Sequence, residues 1–115
     1  MARLGVHPPL QRVQRAMVIQ IEQRNTVCRL LVNGAFTVET GAFARDQIHA
    51  VVSRCGNVDV DLSGIGEIDA AGLQLMLQLK RRHGKSLRFV NHSVAVLRRI
   101  AENQAALAYS ERRPT

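Results

Sequence analysis

Residues 58–82 hold a strand, a connection and a helix in direct succession, and this succession restricts what the chain can become. Val58, Val60 and Leu62 alternate with Asp59 and Asp61, so one face of the strand is apolar and the other acidic. Ser63-Gly-Ile-Gly-Glu-Ile68 reads as a short turn. Asp69 follows as a helix N-cap, ahead of Ala70 to about Arg82, where Leu73, Leu75, Met76, Leu77 and Leu79 crowd most of the helical surface. A helix fed so directly by a half-apolar strand must fold back over the apolar side. The consequence is a sheet with helices packed mainly on one face.

The remaining elements agree with that plan. Val18–Glu22 and about Thr26–Val32 read as strands joined at Arg24-Asn25, with Asn33-Gly34 ending the pair. From Gly41 to Cys55, the apolar positions Ala44, Ile48, Val51, Val52 and Cys55 recur at helical spacing, and Gly56-Asn57 stops that helix. His83-Gly84-Lys85 ends the next one. Leu87–Val90 gives a last strand, and Ser93 caps a final helix bearing Val94, Leu97, Ile100, Ala101 and Leu107. The order β-β-α-β-α-β-α predicts an α/β fold with a mixed four-stranded sheet, antiparallel at its start and parallel through the crossovers.

One domain accounts for 115 residues, placed at 17–107. Residues 1–16 read as a basic, flexible N-terminal extension, with Met17 a plausible natural start, and residues 108–115 as a C-terminal tail. The net charge of +7 is spread accordingly: +3 lies in residues 1–16, +1 in residues 108–115 and only +3 in the body. With aromatics at 3%, stacking platforms for bases are missing and nucleic acid is a poor candidate partner. Neither a secretory leader nor an apolar run of membrane-spanning length is evident. Cys28 and Cys55 lack paired-ligand spacing and are expected as two reduced, largely buried thiols in a cytoplasmic protein.

Catalytic readings are thin. Gly64-Ile-Gly66 superficially suggests a dinucleotide loop, but Asp69 stands where a third glycine should be, and its charge opposes a pyrophosphate. Asp59 and Asp61 mimic the strand-end acid pair of a phosphatase, without the lysine and further acid that such chemistry needs. The histidines show no zinc spacing, and His83 and His92 are expected in exposed loops. No serine lies on a nucleophile elbow. No enzyme activity, cofactor or metal is expected. The helix itself is more informative. At about 100° per residue, Ala70, Gln74, Gln78 and Arg81 form one narrow, nearly neutral stripe suited to close approach by a partner.

The junction Asp61–Gly72 resembles the signature of the STAS domains, the anti-sigma-factor antagonist family. Gly34, Val58–Leu62, Asp69, Gly72-Leu73 and Leu87-Arg-Phe-Val-Asn91 ahead of Ser93 fit the same pattern. The resemblance implies a non-enzymatic signalling adaptor that binds an anti-sigma factor or kinase, or acts in stressosomes or chemotaxis-linked signalling. The alternative it implies is a subunit bound to the ATPase of a lipid-transport ABC complex. A homodimer is compatible with either. In many regulators of the family, the residue after the turn acid is a phosphorylated Ser or Thr; here it is Ala70, which has no hydroxyl. The implied binding residues are Asp69, Ala70, Ala71, Gln74, Gln78 and Arg81. Any phosphate switch would fall to another hydroxyl, such as Ser63 or Ser93.

Overall fold

A computed structural model describes residues 10–112, including the side chains of residues 11–104. Its element order is β1 (Leu10–Gln14), β2 (Met17–Arg24), β3 (Val27–Phe36), α1 (Gly41–Cys55), β4 (Asn57–Ile68), α2 (Ala70–His83), β5 (Leu87–Val90) and α3 (Val94–Arg112). The strands form one mixed sheet in chain order. β1, β2 and β3 are antiparallel, and β3, β4 and β5 are parallel.

The sheet has five strands where four are expected from sequence. The additional one, β1, comes from the segment read as an extension and pairs along β2 from Leu10↔Ile21 to Gln14↔Met17. The placement of residues 1–9 as a flexible extension, and of the tail residues 113–115, falls outside the described residues. α3 runs through residue 112, past the boundary expected near 107.

The core is aliphatic. Met17, Ile19, Leu30, Val32, Val58, Val60 and Leu62 project from one face of the sheet and are closed over by Ala44, Ile48 and Val51 of α1, Leu73, Met76 and Leu79 of α2, and Val96 of α3. Phe36 is fully buried at the end of β3. The opposite face carries ion pairs instead. Arg88 grips Asp59 with two hydrogen bonds of 2.9 Å, and Arg29 reaches Asp61 at 2.9 Å.

β4 departs most from expectation: Ser63–Ile68 is strand, not turn. Between Leu31↔Asp61 and Asn33↔Gly64 one extra residue enters β4, and a second enters between Gly34↔Ile65 and Ala35↔Glu67. Each bulge advances the phase by one. The buried side chains therefore fall at Leu62, Ile65 and Ile68, three apart, and the period-2 signature of a strand vanishes. Gly34, opposite this stretch, has φ of +109°, and a Cβ there would overlap the Ala16 carbonyl oxygen.

Two further expectations change. Cys28, at the start of β3, is disulfide-bonded to Cys55, at the end of α1, with Cα atoms 6.1 Å apart. They are not free thiols, because the crossover from β3 through α1 returns the helix end to the strand start. His83 is not an exposed loop residue either. It is the half-buried last residue of α2, and its Nε2 lies 2.7 Å from Nδ1 of His49 on α1. Burial, together with the positive charge of Arg82, holds both imidazoles below the ordinary histidine pKa.

Gly72 shows how tightly α2 is seated, since a Cβ there would overlap the backbone carbonyl of Phe36. Alanine is normally the better helix former by about 1 kcal/mol. Here Gly72→Ala is expected to destabilise the fold by about 1–3 kcal/mol through overpacking. Gly66→Ala, where no atom stands within 4 Å of the new Cβ, serves as the control. Urea unfolding of the two variants distinguishes the outcomes.

Candidate functional site

Asp69 is the last residue before α2, and its carboxylate joins two segments far apart in sequence. Oδ1 accepts a hydrogen bond from the Gly72 amide at 2.8 Å, capping the helix. Oδ2 accepts from the Val38 amide at 3.0 Å, in the loop that links β3 to α1. The Asp69 amide donates to the Phe36 carbonyl at 3.4 Å, and the Leu73 amide donates to the Asp69 carbonyl at 3.1 Å. Burial works against the charge on Asp69, but the two amide donors outweigh it and hold the carboxyl below its usual pKa.

The loop that meets Asp69 is itself pinned. Thr40 is buried, donates its hydroxyl to the Ala35 carbonyl at 2.8 Å and accepts from the Thr37 amide at 2.9 Å. From the other side, Arg99 of α3 donates to the Ile68 carbonyl at 3.2 Å. Four elements thus converge on Ile68-Asp69. The N-terminus of α2 is presented by a rigid setting rather than by a free loop.

Ala70, Ala71, Gln74, Gln78 and Arg81 are all exposed along α2, while Gly72, Leu73, Met76 and Leu79 of the same helix are buried. The stripe expected from helical spacing is therefore a solvent-facing surface. It begins beside Val38, whose side chain is 72% exposed. Val38 and Thr40 are missing from the sequence-based set. Thr40 makes its hydroxyl bonds back to Thr37 and Ala35, and Val38 enters only through its amide contact with Asp69, so neither is marked by a local sequence pattern.

Ser63 and Ser93 sit elsewhere. The Ser63 hydroxyl donates to Asp61 Oδ1 at 2.6 Å, and its amide donates to the same oxygen at 2.9 Å. Asp61 Oδ2 accepts from Asn91 at 2.8 Å and from Arg29. Burial of Asp61 disfavours its charge, yet these donors together hold its pKa far below the carboxylate norm. Ser93 is half-buried, and its hydroxyl accepts from the Val96 amide at 3.2 Å at the start of α3. Neither hydroxyl lies on α2. Among the described residues no group of three or more His, Cys, Asp or Glu forms a metal cluster.

A mixed five-stranded sheet with its helices packed against one face is the architecture of a STAS domain. The family model described as "Mlab, STAS domain" matches residues 19–105, and the chain belongs to that family. Among solved structures, the chain is similar to an anti-sigma factor antagonist from Mycobacterium paratuberculosis. The two share 22% identity over 81% of this chain and 82% of the other, with a TM-score of 0.67. It is also similar to a protein of the DUF3478 family with a SpoIIAA-like fold from Shewanella loihica PV-4, at 15% identity over 88% and 82%, with a TM-score of 0.49. No curated protein matches the sequence.

Removal of the Asp69 carboxylate exposes two amides at once. Asp69→Ala is expected to lower stability by about 1–2 kcal/mol at pH 7, the upper part of the N-cap range. The folded-state pKa is depressed, so the contribution is present above about pH 4, the unfolded value. It disappears as pH falls through the lower folded value. The difference between parent and variant in urea unfolding should therefore shrink on acidification below about pH 4.

Proposed function

We infer that the protein is a non-enzymatic adaptor that acts by protein–protein contact through the N-terminal half of α2. The carrying observation is the exposed stripe Ala70, Ala71, Gln74 and Gln78, held beside the doubly bonded Asp69. Small and neutral side chains desolvate at low cost, and a rigid frame loses little entropy on docking. Arg81, exposed at the far end of the stripe, adds a charge suited to the rim of an interface. The partner, on this reading, is an anti-sigma factor or kinase. The solved neighbour described as an anti-sigma factor antagonist supports it by its fold.

Ala70 gives the surface a fixed state. A phosphoryl group would add about −1.5 to −2 charges, and alanine has no oxygen to carry it. The protein thus stays in one binding form unless another hydroxyl is used. Of the two candidates, Ser63 is the poorer, since a phosphate there would face the Asp61 carboxylate. At Ser93 it would meet the amide end of α3. A cytoplasmic place of action belongs to this reading. No helix among the described residues is long and apolar enough to cross a membrane.

The absent hydroxyl also favours a second partner class, the ATPase of a lipid-transport ABC complex. A subunit held permanently in an assembly has no need of a phosphate switch. Affinity purification followed by mass spectrometry separates a kinase-like partner from an ATPase.

Ala70→Asp and Gln74→Glu, each placing a charge in the stripe, should weaken binding to the purified partner at least tenfold, or about 1.4 kcal/mol. Unchanged affinity in both variants, with intact circular dichroism, would sink the docking assignment. Separately, a cognate kinase should label Ala70→Ser and leave the parent unlabelled. Label on the parent, mapped by mass spectrometry, would show that another hydroxyl has taken over the switch.

A further inference from the structure

The face of the sheet turned away from the helices is uncovered among the described residues, although β3, β4 and β5 run parallel. Parallel strands are ordinarily covered on both faces. The side chains that alternate with the core point to this open face. Among them Val13 of β1 is 66% exposed, and Val18 of β2 and Leu31 of β3 are half-buried. One row of the register alternates in sign across four strands. Glu22 pairs with Arg29, Arg29 with Asp59 and Asp59 with Arg88, so the row reads minus, plus, minus, plus from β2 to β5.

Within one chain this row is incompletely matched. Arg88 holds Asp59, but Arg29 turns its Nη2 to Asp61 in the next row. The Nε of Arg29 is buried without an acceptor, and Glu22 enters no ion pair among the described residues. Reversal of such a row gives its complement. A two-fold axis parallel to the strands, running between β3 and β4, lays a second copy face down with its row reversed. Glu22 of each copy then faces Arg88 of the other, and Arg29 faces Asp59. An axis across the strands would set like charges opposite one another instead. Asp61, beside Leu31 in the neighbouring row, is buried and already bonded to Ser63, Asn91 and Arg29, so its charge does not oppose the approach.

We propose that the open face of the sheet is a homodimer interface, in which two copies pack face to face about this axis. The row from Glu22 to Arg88 sets the register of the two copies, and Leu31 leaves water beside it. Charges arranged in this way select one orientation and reject the others. The helices lie on the outer sides of the dimer, so both α2 surfaces remain free. The interface does not depend on the docking role of α2.

Sedimentation of the full chain over a range of concentrations tests the proposal. At about 0.15 M ionic strength, where charge is screened beyond about 8 Å, the net +7 of each chain should not prevent a monomer–dimer equilibrium. Glu22→Arg faces Arg88 of the second copy with a like charge and should weaken dimerisation at least about tenfold. Arg88→Glu should do the same, and the double variant should recover the dimer. Within one chain Glu22 and Arg88 are three strand spacings apart, about 14 Å, so this rescue reports contact between copies and not repair of the fold. Arg54→Glu, at the end of α1, is the control and should leave the equilibrium unchanged. Should Arg88→Glu unfold the chain by circular dichroism, Glu22→Gln decides: it should weaken the dimer less than Glu22→Arg. A monomer at every concentration would leave the face to residues 1–9 or to another protein and would overturn the interface. So would a dimer that Glu22→Arg leaves intact, a folded double variant that stays monomeric, or equal effects of Glu22→Gln and Glu22→Arg.

Discussion

The two hydrogen bonds accepted by the Asp69 carboxylate hold the start of α2 and the β3–α1 loop together. One caps α2 and the other fixes the loop entering α1, so a single side chain sets the relative position of two helices and the end of β3. Gly72 is required by the same arrangement, because the first turn of α2 lies against the Phe36 carbonyl. The exposed stripe from Ala70 onward depends on this frame. Without it, the stripe would be a neutral patch on a fraying helix end.

The two faces of the sheet divide the work. The helix-covered face supplies the aliphatic core, and the open face carries ion pairs and hydrogen bonds gathered around Asp59 and Asp61. Asp61 is only 6% exposed, yet it remains charged because four donors converge on it. The acid pair that mimics a phosphatase motif is thus a structural feature, joined to arginines across neighbouring strands. The disulfide and the His49–His83 contact are farther from Asp69. Each ties α1 to a neighbouring element at positions that the stripe does not touch.

Elements with a regular period and a capping signal were legible in the sequence. α1 occupies Gly41–Cys55 as its spacing indicates, and Asp69 caps α2 as its position indicates. The second half of β4 was not legible. Two bulges space its buried residues by three, and a strand search keyed to alternation passes over Ser63–Ile68. β1 was missed for a different reason: as an edge strand with Gln11, Arg12 and Val13 exposed, it lacks a buried face to reveal it.

By itself, the sequence determined the order of elements from β2 onward, the aliphatic character of the core, the family signature and the presence of Ala70 directly after Asp69. These are local properties, carried by residue type and by spacing of a few positions. Only the tertiary structure decided that Val38 joins Asp69, that Cys28 meets Cys55, and that His83 faces His49 across two helices. Those pairs are separated by 31, 27 and 34 positions, and the crossovers of a parallel sheet bring them together. No local pattern records such a contact, because it depends on how the strands register and not on which residues lie nearby in the chain.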